Sequence, residues 1–288
     1  MVRSIALVTD STASLPAEVA EAREIHVVPL QVVIGATAYD EGGTDGATPD
    51  RVAEALRERA PVSTSRPAPA TFAQCYAELA AAGATEIVSV HLSAEMSGTY
   101  ESACLAAKDA PVPVTVVDSR QVGISTGYGV LAAADVLDAG GSAADAATAA
   151  RERCAATTSL FYVDTLEYLR RGGRVGAAAA LLGSALAVKP LLAIDEGKVV
   201  PREKVRTATK ALARLVDLAV EAADEHQVEV TVAHLANLDR AEQLSEALHE
   251  RLEDNLAGRQ IDCGEVGAVL AAHVGPGMVA VSVAPLLD

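Results

Sequence analysis

Two rhythms of apolar and polar positions run along this chain. In its first half, short runs rich in β-branched residues recur at 4–9 (SIALVT), 25–30 (IHVVPL), 86–91 (EIVSVH) and 112–118 (VPVTVVD). Each has the length and composition of a strand. Between them the apolar residues take helical spacing, beginning near Pro16 and again over 48–59, 70–83, 99–108, 125–139 and 142–154. Thr48 before Pro49 has the form of an N-cap followed by a first-turn proline. The stretch 31–39 reads as further strand or hairpin, 40–47 (DEGGTDGA) as a glycine-rich acidic loop, and 61–69 (PVSTSRPAP) as a proline-punctuated loop. Alternation of strand and helix predicts a parallel sheet covered on both faces.

Past about Thr157 the rhythm changes. Strands are expected at 159–163, 191–194, 199–204, 229–235, 259–265, 268–273 and 279–283. A short helix at 166–171 is stopped by Gly172 and Gly173, an Ala/Leu helix follows across 175–188, and longer helices occupy 207–225 and 240–256. The segment 195–198 (DEGK) has the composition of a hairpin turn. Paired strands of this kind predict a mixed sheet. The pattern therefore divides the α/β chain in two: 1–157, a parallel three-layer α/β/α sheet domain, and 158–288, a two-layer α+β mixed-sheet domain.

Composition narrows the function. The formal net charge is −16 and aromatics are 3% with no Trp. That argues against nucleic acid and anionic membrane surfaces as partners. The four cysteines, Cys75, Cys104, Cys154 and Cys263, form no CxxC pair. Neither a disulfide framework nor a zinc site is expected, and free thiols fit a cytoplasmic protein. The N-terminus has only a four-residue apolar run, Ile5 to Val8, too short for a signal peptide. Lys189 and Pro190 interrupt the longest apolar stretch, so stable membrane insertion is not expected. GxxxxGK[ST] and GxGxxG after a strand are both missing, and the six histidines show no HxH or HExxH spacing. These signatures would have marked a nucleotide or metal enzyme.

Ligands of parallel sheets gather at the carboxyl ends of strands. Asp10-Ser11, Ser93 and Asp118-Ser119 fall at such ends. The stretch 92–103 (LSAEMSGTYESA) delivers Ser93, Ser97 and Gly98 to a helix N-terminus, a place that suits a carboxylate or phosphate. The same serines also suit an ordinary cap. Thr64 and Ser65 sit in the proline-bounded loop, and His273 precedes the tight turn Gly275-Pro276-Gly277. Ser97, His273 and either Asp10 or Asp118 form a nominal nucleophile triad, so a serine esterase is one alternative. Ser97 has no GxSxG elbow. Arg170, Arg171, Arg174, Lys189, Lys198, Arg202, Lys204, Arg206 and Lys210 concentrate positive charge in an acidic chain, either as a solvated face or as a surface for an acidic partner.

Taken in order, five blocks carry a resemblance. VTDSTASLP, STSRPAP, LSAEMSGTYESA, the run from LEYLRRGGRVG to KVRTATKAL, and GAVLAAHVGPGMVAV resemble the ordered motifs of the DegV family. Here Arg66 and Ala68 replace that family's Gln and Ser in its TSQPS block, and YDEGGTDGA has no clear counterpart. The resemblance implies a two-domain protein that binds a long-chain fatty acid, has no cofactor, and serves as the lipid-binding subunit of a fatty acid kinase. The ATP-using subunit, related to dihydroxyacetone kinase, would be a separate protein. It further implies that Thr64 and Ser97 hold the carboxylate with His273 nearby, that Ser65 and Gly98 shape the pocket, and that Arg171, Arg202 and Lys204 face the kinase. Segments 176–188 and 98–108 are candidate walls for the acyl tail, with Ala179 and Leu182 as positions that would set its length. A small-molecule kinase acting alone is a second alternative.

Overall fold

The computed structural model describes residues 4–42, 45–181 and 189–286. β1 (Ile5–Asp10), α1 (Ala17–Ala22) and β2 (Ile25–Val28) open the chain. An excursion follows: β3 (Gln31–Ile34), β4 (Thr37–Asp40), α2 (Pro49–Arg57) and β5 (Val62–Ser65). The first layer system then resumes with α3 (Pro69–Ala81), β6 (Glu86–His91), α4 (Thr99–Ala107), β7 (Val114–Asp118), α5 (Ile124–Asp138) and α6 (Ala143–Ala156).

The first sheet has the order β2-β1-β6-β7, and all its pairs are parallel. Successive side chains on a strand point to opposite faces. Leu7, Val88 and Val90 therefore pack against Val130, Ala134 and Ala147 of α5 and α6. Val8 and Ile87 pack against Phe72 and Tyr76 of α3 and Ala103 of α4. Burial on both faces explains why these strands read as nearly continuous apolar runs.

The second half comprises β8 (Thr158–Tyr162), α7 (Glu167–Arg171), β9 (Lys189–Asp195), β10 (Lys198–Val205), α8 (Ala208–Ala223), β11 (Val228–His234), α9 (Leu238–Arg251), α10 (Glu253–Leu256), β12 (Asp262–Glu265), α11 (Ala268–Val274) and β13 (Val279–Pro285). Its six-stranded mixed sheet runs β10-β9-β8-β13-β11-β12. One face, with Tyr162, Leu191, Val230 and Val281, packs on α8 and α9. The other face, with Phe161 and Leu192, shares a core with Val32 of β3 and the preceding Leu30, with Val52 and Leu56 of α2, and with Val269 and Ala272 of α11. The excursion thus leaves the first sheet and buries its apolar side against the second.

Three local expectations are corrected. Residues 61–69 are not all loop: β5 pairs antiparallel with β3, Val32 opposite Thr64 and Gln31 opposite Ser65. β5 is an edge of the small sheet β4-β3-β5, where flanking prolines cost no ladder bond. Residues 268–273 form helix, not strand. An apolar run this short carries no decisive period, and its buried positions, Ala268, Val269, Ala271 and Ala272, follow helical spacing. The Ala/Leu stretch opens as a 3-10 turn, Gly176–Leu181, and its remainder, with Leu182, lies outside the described residues.

Polar contacts join the two halves. Ser125 Oγ lies 2.7 Å from Ser159 Oγ and 2.9 Å from Ser282 Oγ. Tyr128 Oη meets Thr231 Oγ1 at 2.7 Å, and the nearly buried Arg153 pairs with Glu229. Among the described residues no helix is long and apolar enough to cross a membrane.

Candidate functional site

The site is built where the ends of β1 and β6 meet the second half. Asp10 ends β1 and anchors this corner. Its Oδ2 accepts the backbone N–H of Leu92 at 3.0 Å, and its Oδ1 accepts the Thr12 N–H at 3.1 Å. The chain leaving β6 is fixed at its first step. Ser93 Oγ then donates to the carbonyl of Gly197 at 2.7 Å, tying the turn to the β9–β10 hairpin. The N–H groups of Met96 and Ser97 both donate back to the Ser93 carbonyl. Ser97 Oγ accepts the Thr99 N–H at 3.3 Å and lies 2.9 Å from Thr99 Oγ1. The same hydroxyl therefore accepts the first N–H of α4 and lines a cavity.

That cavity, of about 1160 Å³, lies between the inner face of the second sheet, α11, the excursion and the loops of the first sheet. Thr64, Ser65, Ser97, Gly98 and His273 all line it. Thr64 comes from β5 and His273 from the last turn of α11, yet Thr64 Oγ1 and His273 Nε2 are 2.9 Å apart. Most of the remaining wall is apolar, including Val19, Phe161, Leu169, Ile194, Val199 and Leu270.

Burial, and secondarily the positive charge of Arg174, lower His273 to about 4, so its ring is neutral at neutral pH. Its Nδ1 is buried against Gly172 with no hydrogen-bond partner among the described residues. A Cβ at position 172 would stand 2.2 Å from Nδ1, which accounts for a glycine there. A proton on Nδ1 would be a buried donor with nothing to bind, which costs more than an unmated acceptor. The proton therefore belongs on Nε2, which donates to Thr64 Oγ1. The Thr64 O–H is then free to donate into the cavity.

Two guanidinium groups flank Ser97. Arg174 Nε donates to the Met96 carbonyl at 2.9 Å, and Arg66 Nη1 donates to the Gly98 carbonyl at 3.1 Å. Arg174 also donates to the Gly172 carbonyl. Both arginines line the cavity. Motif reading had placed Arg174 among surface charges; its position directly after Gly172-Gly173, where the chain turns back, was the available signal. Glu41 was missed altogether, since it sits in an acidic loop with nothing to distinguish it. It lines the cavity, and its Oε1 accepts the Val269 N–H at 2.8 Å at the start of α11. Burial raises its carboxyl above the usual range, against the opposing effect of Ser11 and the Val269 N–H.

The nominal esterase triad is not assembled. His273 bonds Thr64 rather than Ser97. Asp10 bonds His91 at 2.9 Å. Asp118 Oδ1 accepts the N–H groups of Ala94 and Arg120. Of the expected tail walls, 176–188 and 98–108, residues 182–188 lie outside the described residues. Gly98 alone of residues 98–108 lines the cavity, no described residue of 176–181 does, and Ala179 is exposed. Ala178 and Leu181 instead fill the core behind it. Among the described residues no cluster of His, Cys, Asp and Glu is arranged to hold a metal ion.

Of the basic residues, Arg171 is exposed and bonded to Glu167 at 2.8 Å. Bonds from Arg170 and Arg171 hold the Glu167 carboxyl down at about 2. Arg202 and Lys204 are exposed on β10, the edge strand of the second sheet. The register shifts between Pro201 and Glu203, so Arg202 stands at a bulge.

Comparison with known proteins shows what the chain and its fold resemble. A DegV domain-containing protein of Streptomyces coelicolor is 52% identical over 284 residues, covering 98% of this chain and 99% of that one. Among solved structures, a DegV family protein from Thermus thermophilus described by its fatty acid binding superposes with TM-score 0.89 at 33% identity, covering 99% of this chain and 100% of that chain. DegV of Bacillus subtilis, described as a fatty acid binding protein, gives TM-score 0.87 at 31% identity, with the same coverage. The family model described as "Uncharacterised protein, DegV family" matches residues 4–286, and on this evidence the chain belongs to the DegV family.

Proposed function

We propose that this protein binds a long-chain fatty acid and presents it to a separate ATP-using kinase subunit, which converts the carboxylate to an acyl phosphate. The observation that carries the reading is the Thr64–His273 pair, which shares with Ser97 the wall of a large, mostly apolar cavity. Thr64 and Ser97 supply hydroxyl donors to the carboxylate, and His273 orients Thr64. Ser65 and Gly98 shape that end of the pocket, and Arg174 contributes positive charge. The tail lies along the inner face of the second sheet and α11. About 14 buried methylenes at ~0.8 kcal/mol each supply on the order of 11 kcal/mol gross. Ordering the chain and its ligand takes back part of this. The donors serve mainly to avoid burying an unpaired charge.

The chain is read as a carrier rather than an enzyme. Ser97 is bonded to Thr99, and no histidine within hydrogen-bond reach activates it among the described residues. The exposed Arg171, Arg202 and Lys204 suit an acidic surface on the kinase subunit. Mass spectrometry of lipid extracted from natively purified protein tests the central claim. A stoichiometric fatty acid is expected, and protein that neither carries nor takes up one would sink it. Labelling of Ser97 by a fluorophosphonate probe would revive the esterase reading. Charge reversal at Arg202 and Lys204 should spare lipid binding and slow acyl phosphate formation when the kinase subunit is supplied. Unchanged rates would make these residues a solvated face.

A further inference from the structure

Ser97 lies between two fixed positive charges. Arg174 grips the carbonyl before it and Arg66 the carbonyl after it, at 2.9 and 3.1 Å. The two arginines come from different segments, Arg174 from that after α7 and Arg66 from the end of β5. A guanidinium has five N–H donors. Arg66 directs a single bond to Gly98, leaving donors unused. Gly98 is required for this approach, because a Cβ there would stand 1.6 Å from Arg66 Nη1. Neither arginine has a carboxylate at salt-bridge distance among the described residues, although the chain carries a net charge of −16. Elsewhere in the chain exposed basic residues do find carboxylates: Lys198 pairs with Glu95 and Arg120 with Glu196.

A single carboxylate carries one negative charge, and the hydroxyls of Thr64 and Ser97 already offer it donors. Two uncompensated guanidiniums beside those hydroxyls exceed what one carboxylate needs. They match a tetrahedral head group with two charges and three terminal oxygens, for which the planar fork of arginine is well suited. We propose that Arg66 makes the head-group end selective for a dianionic phosphoryl or phosphonyl group on a long alkyl tail over the corresponding carboxylate. This rests on the lipid-binding reading above and extends it to the charge state that the site retains. Arg66 is exposed and lies at the rim, so its contribution falls as salt rises. It is a specificity determinant, while Thr64 and Ser97 hold either head group.

The test compares hexadecanoate with pentadecylphosphonate, whose alkyl tails are of equal length, by calorimetric titration of delipidated protein at a pH where the phosphonate bears two charges. The native chain should bind the phosphonate more tightly. Arg66→Gln should weaken the phosphonate by about tenfold and hexadecanoate by less than about threefold, as loss of one charge-assisted contact would do. Arg66→Lys should recover part of the preference, and added salt should narrow it in the native chain but not in Arg66→Gln. Equal losses for both ligands, no loss, or a native preference for the carboxylate would overturn the inference while leaving fatty acid binding standing. Retention of neither ligand by the native chain would overturn both readings together.

Discussion

Two histidines in this molecule hold hydroxyl groups, and they do so to opposite ends. His91 is wholly buried in the first sheet, with Nδ1 2.9 Å from Asp10 Oδ2 and Nε2 2.7 Å from Ser89 Oγ. Tyr76 Oη donates to the same Ser89 Oγ at 2.9 Å. Every polar atom of that ring is used, and the cavity described above does not include it in its wall. His273 has the same kind of partner in Thr64, but its second nitrogen has no mate among the described residues and its hydroxyl partner lines open volume. A closed network specifies the fold. An open one retains hydrogen-bonding capacity for a ligand. Aspartate, histidine and serine in the first sheet look more like a catalytic set than the threonine and histidine of the cavity, so residue identity alone points to the wrong one.

The comparison can be broken most severely at Asp10. Asp10→Ala removes the acceptor for His91, Leu92 and Thr12 at once. A loss on the order of 3 kcal/mol is expected, or roughly 5–10 °C in Tm by calorimetry. A melting curve matching the native protein would show that the closed network is dispensable.

Substitutions at the open pair should separate binding from stability. Thr64→Val and Ser97→Ala should each weaken fatty acid retention by about tenfold or more while lowering stability by only about 1 kcal/mol. Full lipid occupancy in purified Ser97→Ala protein would remove Ser97 from the head-group site.

The third contrast is in titration. The His273 ring, depressed to about 4 by burial and by Arg174, should show no NMR titration between neutrality and mild acid, and lipid retention should stay level there. Because the folded value lies below the ordinary 6.5, the unfolded chain takes up the proton first. The ring therefore costs stability as pH falls from 6.5 through about 4. A midpoint near the ordinary value would mean that the ring is solvated.

The smallest effect is expected at Glu41. Its carboxyl is raised by burial, so the folded state holds the proton more tightly and stability from this group declines as pH rises above the ordinary 4.5. Glu41→Gln keeps an acceptor for the Val269 N–H and cannot ionise. Its Tm relative to the native protein should rise between acid and neutral pH; a difference independent of pH would show that Glu41 does not titrate in that range.

Legibility in the sequence followed the range of the forces involved. Where a strand is buried on both faces, as in β1 and β6, its apolar run is decisive, and a capped helix such as α2 declares itself through Thr48 and Pro49. β5 is hidden because its strand partner among the described residues, β3, lies across α2 and the acidic loop, and its exposed hydroxyls resemble a linker. α11 was taken for a strand because an apolar run of that length fits either period, and only its packing chose the helix. For a related reason the small residues of 176–188 suggest empty space, whereas Ala178 and Leu181 are packed into the core and 182–188 lie outside the described residues.

By itself the sequence determined the succession of strands and helices, the parallel character of the first sheet, and the ordered motifs that mark the family. Those properties depend on periodicity and on turn chemistry within a few residues of each position. Tertiary structure alone decided that Thr64 and His273, 209 positions apart, share a hydrogen bond, and that Arg66 and Arg174 close on Ser97 from two sides. It also decided which histidine remains open. These outcomes depend on how separate cores pack and on which polar atoms that packing leaves unpaired, and no local pattern encodes either.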